Sequence, residues 1–168
     1  MSSLPLAIIA LGSNVGDSQS ILSRAMDRLE LLSSEPLLRS SFWQTTPVDC
    51  PPGSPPFVNA VVGLAPREGE NPDSLLGKLL EMEKEFGRKP KLVLNEPRRL
   101  DLDLITFGQE IRTTKQLMLP HPRAHERRFV LQPLSEFASD LVLPGQRKNV
   151  ADLLAGLDAR EKLVRLNI

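Results

Sequence analysis

The spacing of apolar residues along the chain predicts a mixture of strands and helices. Short apolar runs typical of strands occur at residues 6–11, 37–46 and 57–65. Apolar residues at helical spacing occur at residues 17–32 and 71–87. Asp17 or Ser18 can cap the first helix, and Asn71 followed by Pro72 is typical of the start of the second. Between the first strand and the first helix, GSNVGD matches neither GxGxxG nor GxxxxGKS, so it is interpreted as a structural turn.

The segment RRLDLDLITFG, residues 98–108, places two acids in an apolar run. As a strand, it sends its three leucines to one face and Asp101 and Asp103 to the other. Two carboxylates about 6–7 Å apart at the backbone can share hard cations. Mg²⁺ suits them, because it takes one or two carboxylates and completes its shell with water and phosphates. The alternative is a solvated edge strand with two surface acids.

The order strand, helix, strand, strand, helix, strand predicts an α+β fold, a ferredoxin-like antiparallel sheet with helices on one face. Additional C-terminal elements follow. One predicted helix runs through Leu131, Leu134 and Phe137, and a short helix is predicted within residues 149–157. We expect a single domain over residues 1–168, with residues 158–168 as a poorly ordered tail.

Charge and cysteine content narrow the possible partners. The chain has 21 basic and 21 acidic residues, so net charge gives no reason to expect a nucleic acid or a membrane as partner. However, 11 of the 21 lysines and arginines lie between Lys84 and Arg128, which favours a local anionic ligand. Cys50 is the single cysteine, and there is no signal peptide or apolar run of about 18 residues. We therefore expect a cytoplasmic protein. We also expect it to be a monomer.

Three further features each allow two interpretations. Asn59 lies in a Val- and Ala-rich strand, where a buried amide must be hydrogen-bonded. Asn59 is either a structural residue or a residue that recognises the donors and acceptors on the edge of a heterocycle. His121, between two prolines, is either packed or a donor to phosphate. The basic segment at residues 88–99 is either solvated or a phosphate clamp.

Several motifs together resemble one enzyme family over roughly residues 6–156. They are LGSNVGD, SSFWQTTPVD, PPFVNAVV, FGR, PRRLDLDLITFG and LPHPRAHERRFVLQPLSEFA. In order and spacing they are similar to the 6-hydroxymethyl-7,8-dihydropterin pyrophosphokinases of the folate pathway. The resemblance implies a ferredoxin-like fold with added elements, ATP as donor and two magnesium ions. It also implies transfer of pyrophosphate to the pterin hydroxymethyl group with release of AMP.

The resemblance also implies roles for individual residues. The metal-binding pair would be Asp101 and Asp103, which count as catalytic together with Arg88 and Arg98. The pterin would be bound by Thr45, Pro47, Val48, Phe57, Asn59 and Phe129. ATP would be bound by Arg88, Lys91, Arg98, His121 and Arg127.

The chain departs from the family pattern in a few places. Asn95 and Glu96 stand where an aromatic residue and a glycine are common before the PR motif. The other departures are Pro90 for a second loop arginine, Leu80 for a glutamine and Asp49 for a glycine. We expect the same reaction with a weaker or differently gated loop. A catalytically silent pterin- or nucleotide-binding module and a metal-dependent hydrolase are the alternatives.

Overall fold

The structure, a computed structural model, describes residues 6–14, 17–45, 56–87, 100–158 and 163–166. Its strands are β1 (Ala7–Ser13), β2 (Leu38–Arg39), β3 (Trp43–Thr45), β4 (Phe57–Leu64), β5 (Asp101–Phe107), β6 (Arg112–Thr113), β7 (Met118–Leu119) and β8 (Leu163–Arg165). Its helices are α1 (Ser18–Glu30), α2 (Pro72–Glu85), α3 (Arg128–Ala138) and α4 (Val150–Ala155), with a 3-10 turn at Ala124–Glu126. Within these ranges, no helix is long and apolar enough to cross a membrane.

The main sheet is antiparallel and has the strand order β5-β1-β4-β3-β8, with β2 also paired to β4. The order of β5, β1, β4 and β3 is that of a ferredoxin-like sheet, so the predicted fold class is confirmed. β6 and β7 form a separate two-stranded sheet.

Helices cover both faces of this sheet. On one face, α1 and α2 pack against alternate residues of β1 that include Ile9 and Leu11. On the other face, α3 and α4 pack against Ile8 and Ala10. The prediction that the helices pack on one face of the sheet is therefore confirmed only for α1 and α2. Since β1 is apolar on both sides, its second face also needs an apolar cover, which the C-terminal helices supply.

The predicted helix starts are confirmed. The Asp17 carboxylate accepts a hydrogen bond from the Ser20 backbone N–H at 3.2 Å, which caps α1. Asn71 and Ser74 form a reciprocal capping box at the start of α2, where Pro72 is the first helical residue. These caps satisfy backbone donors that the first turn of a helix leaves without a partner.

The strands differ from the prediction in three places. β1 continues through Gly12 to Ser13, so the start of GSNVGD is strand rather than turn. The predicted strand at residues 37–46 is interrupted, because the Ser40 hydroxyl accepts a hydrogen bond from the Val61 N–H at 2.9 Å. β8 lies within the predicted tail and pairs with β3.

Candidate active site

Asp101 and Asp103 open the edge strand β5 and lie beside β1. In the strand register Asp101 is opposite Gly12 and Asp103 is opposite Ala10. Leu100, Leu102 and Leu104 belong to the core beneath α1 and α2, and the alternation therefore places both aspartates on the α3 face. Both are half-buried. The strand thus presents two adjacent carboxylates on one face, as the sequence pattern predicted.

A third carboxylate supports this pair from the opposite side of the sheet. Glu83, on α2, is 2 % exposed. Its Oε2 accepts a hydrogen bond of 2.8 Å from the backbone N–H of Leu102, which lies between the two aspartates. In the described part of the chain β5 pairs with β1 alone, so Glu83 satisfies a donor on the open edge. The sequence signal for Glu83 is an acid beside the apolar stripe of α2, which by itself does not indicate a role in a site.

Asn59 lies on the same face, two strands away from Asp101. The register places Asp101, Gly12, Asn59 and Trp43 in one row across β5, β1, β4 and β3. The Asn59 side chain is 7 % exposed, and its amide nitrogen donates to the Thr45 hydroxyl at 3.1 Å. The structure therefore brings these two predicted pterin residues together. Among the described residues the partner of the amide is this side chain; residues 46–55, which follow β3, lie outside the described residues.

Aromatic rings lie beside this row. Phe57 is half-buried on β4, two residues before Asn59, and is the cross-strand partner of Thr45. Phe129, in the first turn of α3, packs against the core on the same face of the sheet. The guanidinium of Arg127 lies 5.4 Å from the centroid of the Phe129 ring. Arg127 is therefore held at the start of α3 by the ring that it covers.

His121 is fixed at the side of β5 by its backbone. Its N–H donates to the Ile105 carbonyl at 2.8 Å, and its Nδ1 accepts from the Arg123 N–H at 3.3 Å. With Nδ1 accepting, a neutral imidazole carries its proton on Nε2 and can donate from that atom. Partial burial lowers the pKa of His121, the charges of Arg127 and Arg123 lower it further, and Asp101 acts in the opposite sense. His121, Arg127 and Asp101 are thus close enough to interact.

One carboxylate on α3 binds the strand next to Asn59. Glu136, on α3, accepts hydrogen bonds from the Ser41 N–H at 2.9 Å, the Ser41 hydroxyl at 2.7 Å and the Trp43 indole at 2.8 Å. These bonds fasten α3 to the start of β3, the strand that ends at Thr45. Sequence reasoning did not identify Glu136 as part of the site, because its donors precede it by more than 90 residues.

Several predicted site residues lie outside the described residues. They are Pro47, Val48, Arg88, Lys91 and Arg98, together with the departures at Asp49, Pro90, Asn95 and Glu96. Leu80 is described and is exposed on α2. These residues belong to two segments, 46–55 and 88–99. Thr45 and Phe57 lie on either side of the first segment, and β5 follows the second.

The two aspartates on β5 fit a metal ion that takes its remaining ligands from a substrate and water. Among the described residues, no group of three or more His, Cys, Asp or Glu side chains is placed to hold a metal. Asp101 and Asp103 nevertheless offer hard oxygen donors on adjacent positions of one face. Mg²⁺ is commonly bound by one or two carboxylates together with substrate phosphates and water. A pair of aspartates is sufficient for such a site.

The chain is similar in sequence to known proteins. A family model described as "7,8-dihydro-6-hydroxymethylpterin-pyrophosphokinase (HPPK)" matches residues 8–139. The chain is similar to the 2-amino-4-hydroxy-6-hydroxymethyldihydropteridine pyrophosphokinases of Haemophilus influenzae and Bacillus subtilis. It is 39 % identical to the first, over 96 % of this chain and 98 % of the relative, and 36 % identical to the second, over 81 % and 80 %.

Solved structures share the fold. One described as HPPK-DHPS in complex with substrates superposes with a TM-score of 0.70 at 12 % identity, covering 92 % of this chain and 43 % of that one. A Plasmodium falciparum HPPK-DHPS gives a TM-score of 0.67 at 12 % identity, covering 91 % and 45 %. The chain therefore spans less than half the length of these solved chains.

Proposed function

Since the chain belongs to the 7,8-dihydro-6-hydroxymethylpterin-pyrophosphokinase family, we propose that it transfers pyrophosphate from ATP to the hydroxymethyl group of 6-hydroxymethyl-7,8-dihydropterin and releases AMP. The observation that carries the proposal is the row across the sheet. It places an amide suited to a heterocycle, Asn59, two strands from a carboxylate suited to a metal, Asp101. A pterin and a triphosphate would meet between them.

The pterin would bind at the Asn59 end of the row. The Asn59 amide offers both an acceptor and donors, which matches the mixed polar edge of a pterin ring. Thr45 orients that amide. Phe57 and Phe129 would contact the faces of the flat ring, where offset stacking is favourable. Pro47 and Val48 are proposed to meet the ring edge from the segment after Thr45.

The triphosphate would bind at the Asp101 end. Asp101 and Asp103 would hold two Mg²⁺ ions, which would supply charge neutralisation at the phosphates and the leaving oxygen. His121 would donate from Nε2 to a phosphate oxygen, and Arg127 would present its guanidinium fork. Arg88, Lys91 and Arg98 are proposed to contact the same triphosphate.

The chain's own residues would act mainly by position. Phosphoryl transfer depends on alignment and on stabilisation of charge more than on covalent help from the protein. Asn59 and the aromatic rings would hold the hydroxymethyl oxygen toward the triphosphate. His121 and the arginines would keep the β-phosphorus in line with it. No strong base on the protein is required.

The nucleotide product tests this proposal. Purified protein is incubated with ATP, Mg²⁺ and 6-hydroxymethyl-7,8-dihydropterin, and the nucleotides are separated by chromatography. We expect AMP, and no AMP when the pterin is omitted. ADP as the product would contradict the proposal. Pterin binding without any AMP would indicate a silent binding module, and phosphate release without pterin would indicate a hydrolase.

Three properties of the whole chain are also proposed. We expect one domain on the basis of the chain's length and a cytoplasmic location on the basis of its single cysteine. We also expect a monomer. Light scattering coupled to size-exclusion chromatography would test the monomer, for which the expected mass is 18.6 kDa.

A further inference from the structure

Gly12 lies inside β1, where a glycine has a cost. Glycine in a strand interior loses more conformational freedom on folding than other residues and contributes no side chain to packing. A glycine is commonly required where φ is positive or where another group leaves no room for a Cβ atom. The structure allows each of these reasons to be tested for Gly12.

Backbone conformation does not require glycine at this position. The glycines with positive φ are Gly69, Gly87, Gly108 and Gly145 among the described residues, and Gly12 is not one of them. Gly12 has regular antiparallel partners on both sides, Asn59 and Asp101. An L-amino acid could adopt the same strand conformation.

Steric exclusion by the described residues does not require it either. A Cβ atom on Gly12 would lie 3.4 Å from Asn59 Oδ1, 3.7 Å from Phe57 Cδ1 and 4.0 Å from the Val58 carbonyl oxygen. These are ordinary van der Waals distances. Gly63 in β4 is different, because a Cβ there would lie 3.1 Å from the Phe137 ring and 3.3 Å from a Leu38 methyl group.

The position of Gly12 suggests what needs the space. Its missing side chain would stand on the α3 face, next to Asn59 and Phe57 and one strand from Asp101. The Asn59 and Asp101 backbones are two strand spacings apart, about 10 Å. A bicyclic ring held at Asn59, with its hydroxymethyl group toward the metal pair, would cross the sheet over Gly12.

We propose that Gly12 is a specificity-determining residue that forms the floor of the pterin pocket. This inference rests on the proposed function. A glycine in a strand often marks a bulge, a tight bend or the close approach of a ligand, and among the described residues neither backbone conformation nor packing requires one at Gly12. The absent side chain lets the ring lie low enough for the Asn59 amide to reach its edge and for the hydroxymethyl group to reach the β-phosphorus.

The test compares Gly12→Ala and Gly12→Val with Gly63→Ala. The thermal midpoint, KM for each substrate and calorimetric binding of the pterin with a nonhydrolysable ATP analogue are measured for each. Gly12→Ala should keep or raise the thermal midpoint, raise the pterin KM and Kd about tenfold, and leave the ATP KM unchanged. Gly12→Val should weaken pterin binding further. Gly63→Ala should lower the midpoint and leave pterin affinity unchanged.

Two results would overturn the inference. If Gly12→Ala binds pterin as tightly as the wild type, nothing occupies the space over Gly12. If Gly12→Ala loses stability as Gly63→Ala does, the fold itself requires the glycine. The wild-type protein is the control for the proposed function, because AMP formation by the wild type with unchanged pterin affinity in Gly12→Ala would reject the inference alone.

Discussion

Asp101 and Asp103 are the residues on which the proposed chemistry depends most. We predict that Asp103→Asn lowers kcat/KM by about a thousandfold, because the amide keeps the shape of the side chain and loses the charge that holds Mg²⁺. The thermal midpoint should stay near the wild-type value, since the carboxylate is half-buried on the site face and lies outside both apolar cores. Steady-state rates and thermal unfolding measure the two effects.

The matched control for that variant is Asp73→Asn. Asp73 is an exposed aspartate at the start of α2, with an ion pair to Arg112 at 3.0 Å. Surface pairs of this kind contribute little to stability, and Asp73 is not one of the proposed site residues. Asp73→Asn should therefore leave both the thermal midpoint and the activity unchanged. A rate for Asp103→Asn within tenfold of the wild type would show that this carboxylate does not hold the metal.

The lowered pKa of His121 predicts that the stability of the protein depends on pH. Its pKa is lowered in the folded protein, so below the ordinary histidine pKa of about 6.5 the unfolded chain binds a proton more readily than the folded one. The free energy of unfolding, measured without metal and nucleotide, should therefore fall as pH decreases below that value. At pH 7 and above, the titration of His121 should make no contribution to the pH dependence of stability. Urea unfolding at pH 7.5 and 5.5 measures the effect.

The variant His121→Gln should lose that part of the pH dependence while its side-chain amide can still donate to a phosphate. His121→Ala should raise the KM for ATP about tenfold, because it removes the donor. If both variants keep the wild-type pH dependence of stability, the lowered pKa of His121 is not linked to folding.

At the scale of elements, Glu83 links α2 to the strand that carries the aspartates. Glu83→Leu should lower stability by about 1–3 kcal/mol, because it leaves the Leu102 N–H buried without its acceptor. It should also raise the Mg²⁺ concentration needed for half-maximal rate. Glu83→Gln keeps an oxygen acceptor and should lie closer to the wild type in both. Normal Mg²⁺ dependence in Glu83→Leu would contradict this positioning role.

Glu136 links α3 to β3 in a similar way. Glu136→Ala removes the acceptor of three hydrogen bonds and should cost about 1–2 kcal/mol, since water can reach the exposed donors. Trp43 is the only tryptophan in the chain, so tryptophan emission reports on this residue alone. Loss of the hydrogen bond to its indole should shift that emission to longer wavelength, and the pterin KM should rise. The exposed Glu68→Ala is the control. Unchanged emission in Glu136→Ala would show that the indole does not depend on this bond.

At the scale of the whole molecule, the fold could be predicted where local pattern and tertiary environment agree. The alternation around Asp101, the caps at Asp17 and Asn71 and the buried amide at Asn59 are of this kind. Gly12 misled the prediction, because a glycine after an apolar run is typical of a turn and here continues the strand. β8 was missed because three residues pair with β3 without a distinctive pattern of their own.

The site was predictable only in part for a related reason. Residue types and order gave the aspartates, His121, Arg127 and the aromatic residues as candidates through the resemblance to a family, and their roles stay predictions. Glu83 and Glu136 act through hydrogen bonds to segments 19 and more than 90 residues away, and no local pattern marks such partners. The proposed roles of Arg88, Lys91, Arg98, Pro47 and Val48 stay predictions from that resemblance.

The most direct measurement follows the β-phosphorus of ATP. ATP labelled at that atom is incubated with Mg²⁺, the pterin and the protein, and the products are separated. Transfer of pyrophosphate predicts that the label leaves the nucleotide and is recovered on the pterin, with one unlabelled AMP formed for each labelled pterin. Label that remains in ADP, or that is released as inorganic phosphate without reaching the pterin, would contradict the account.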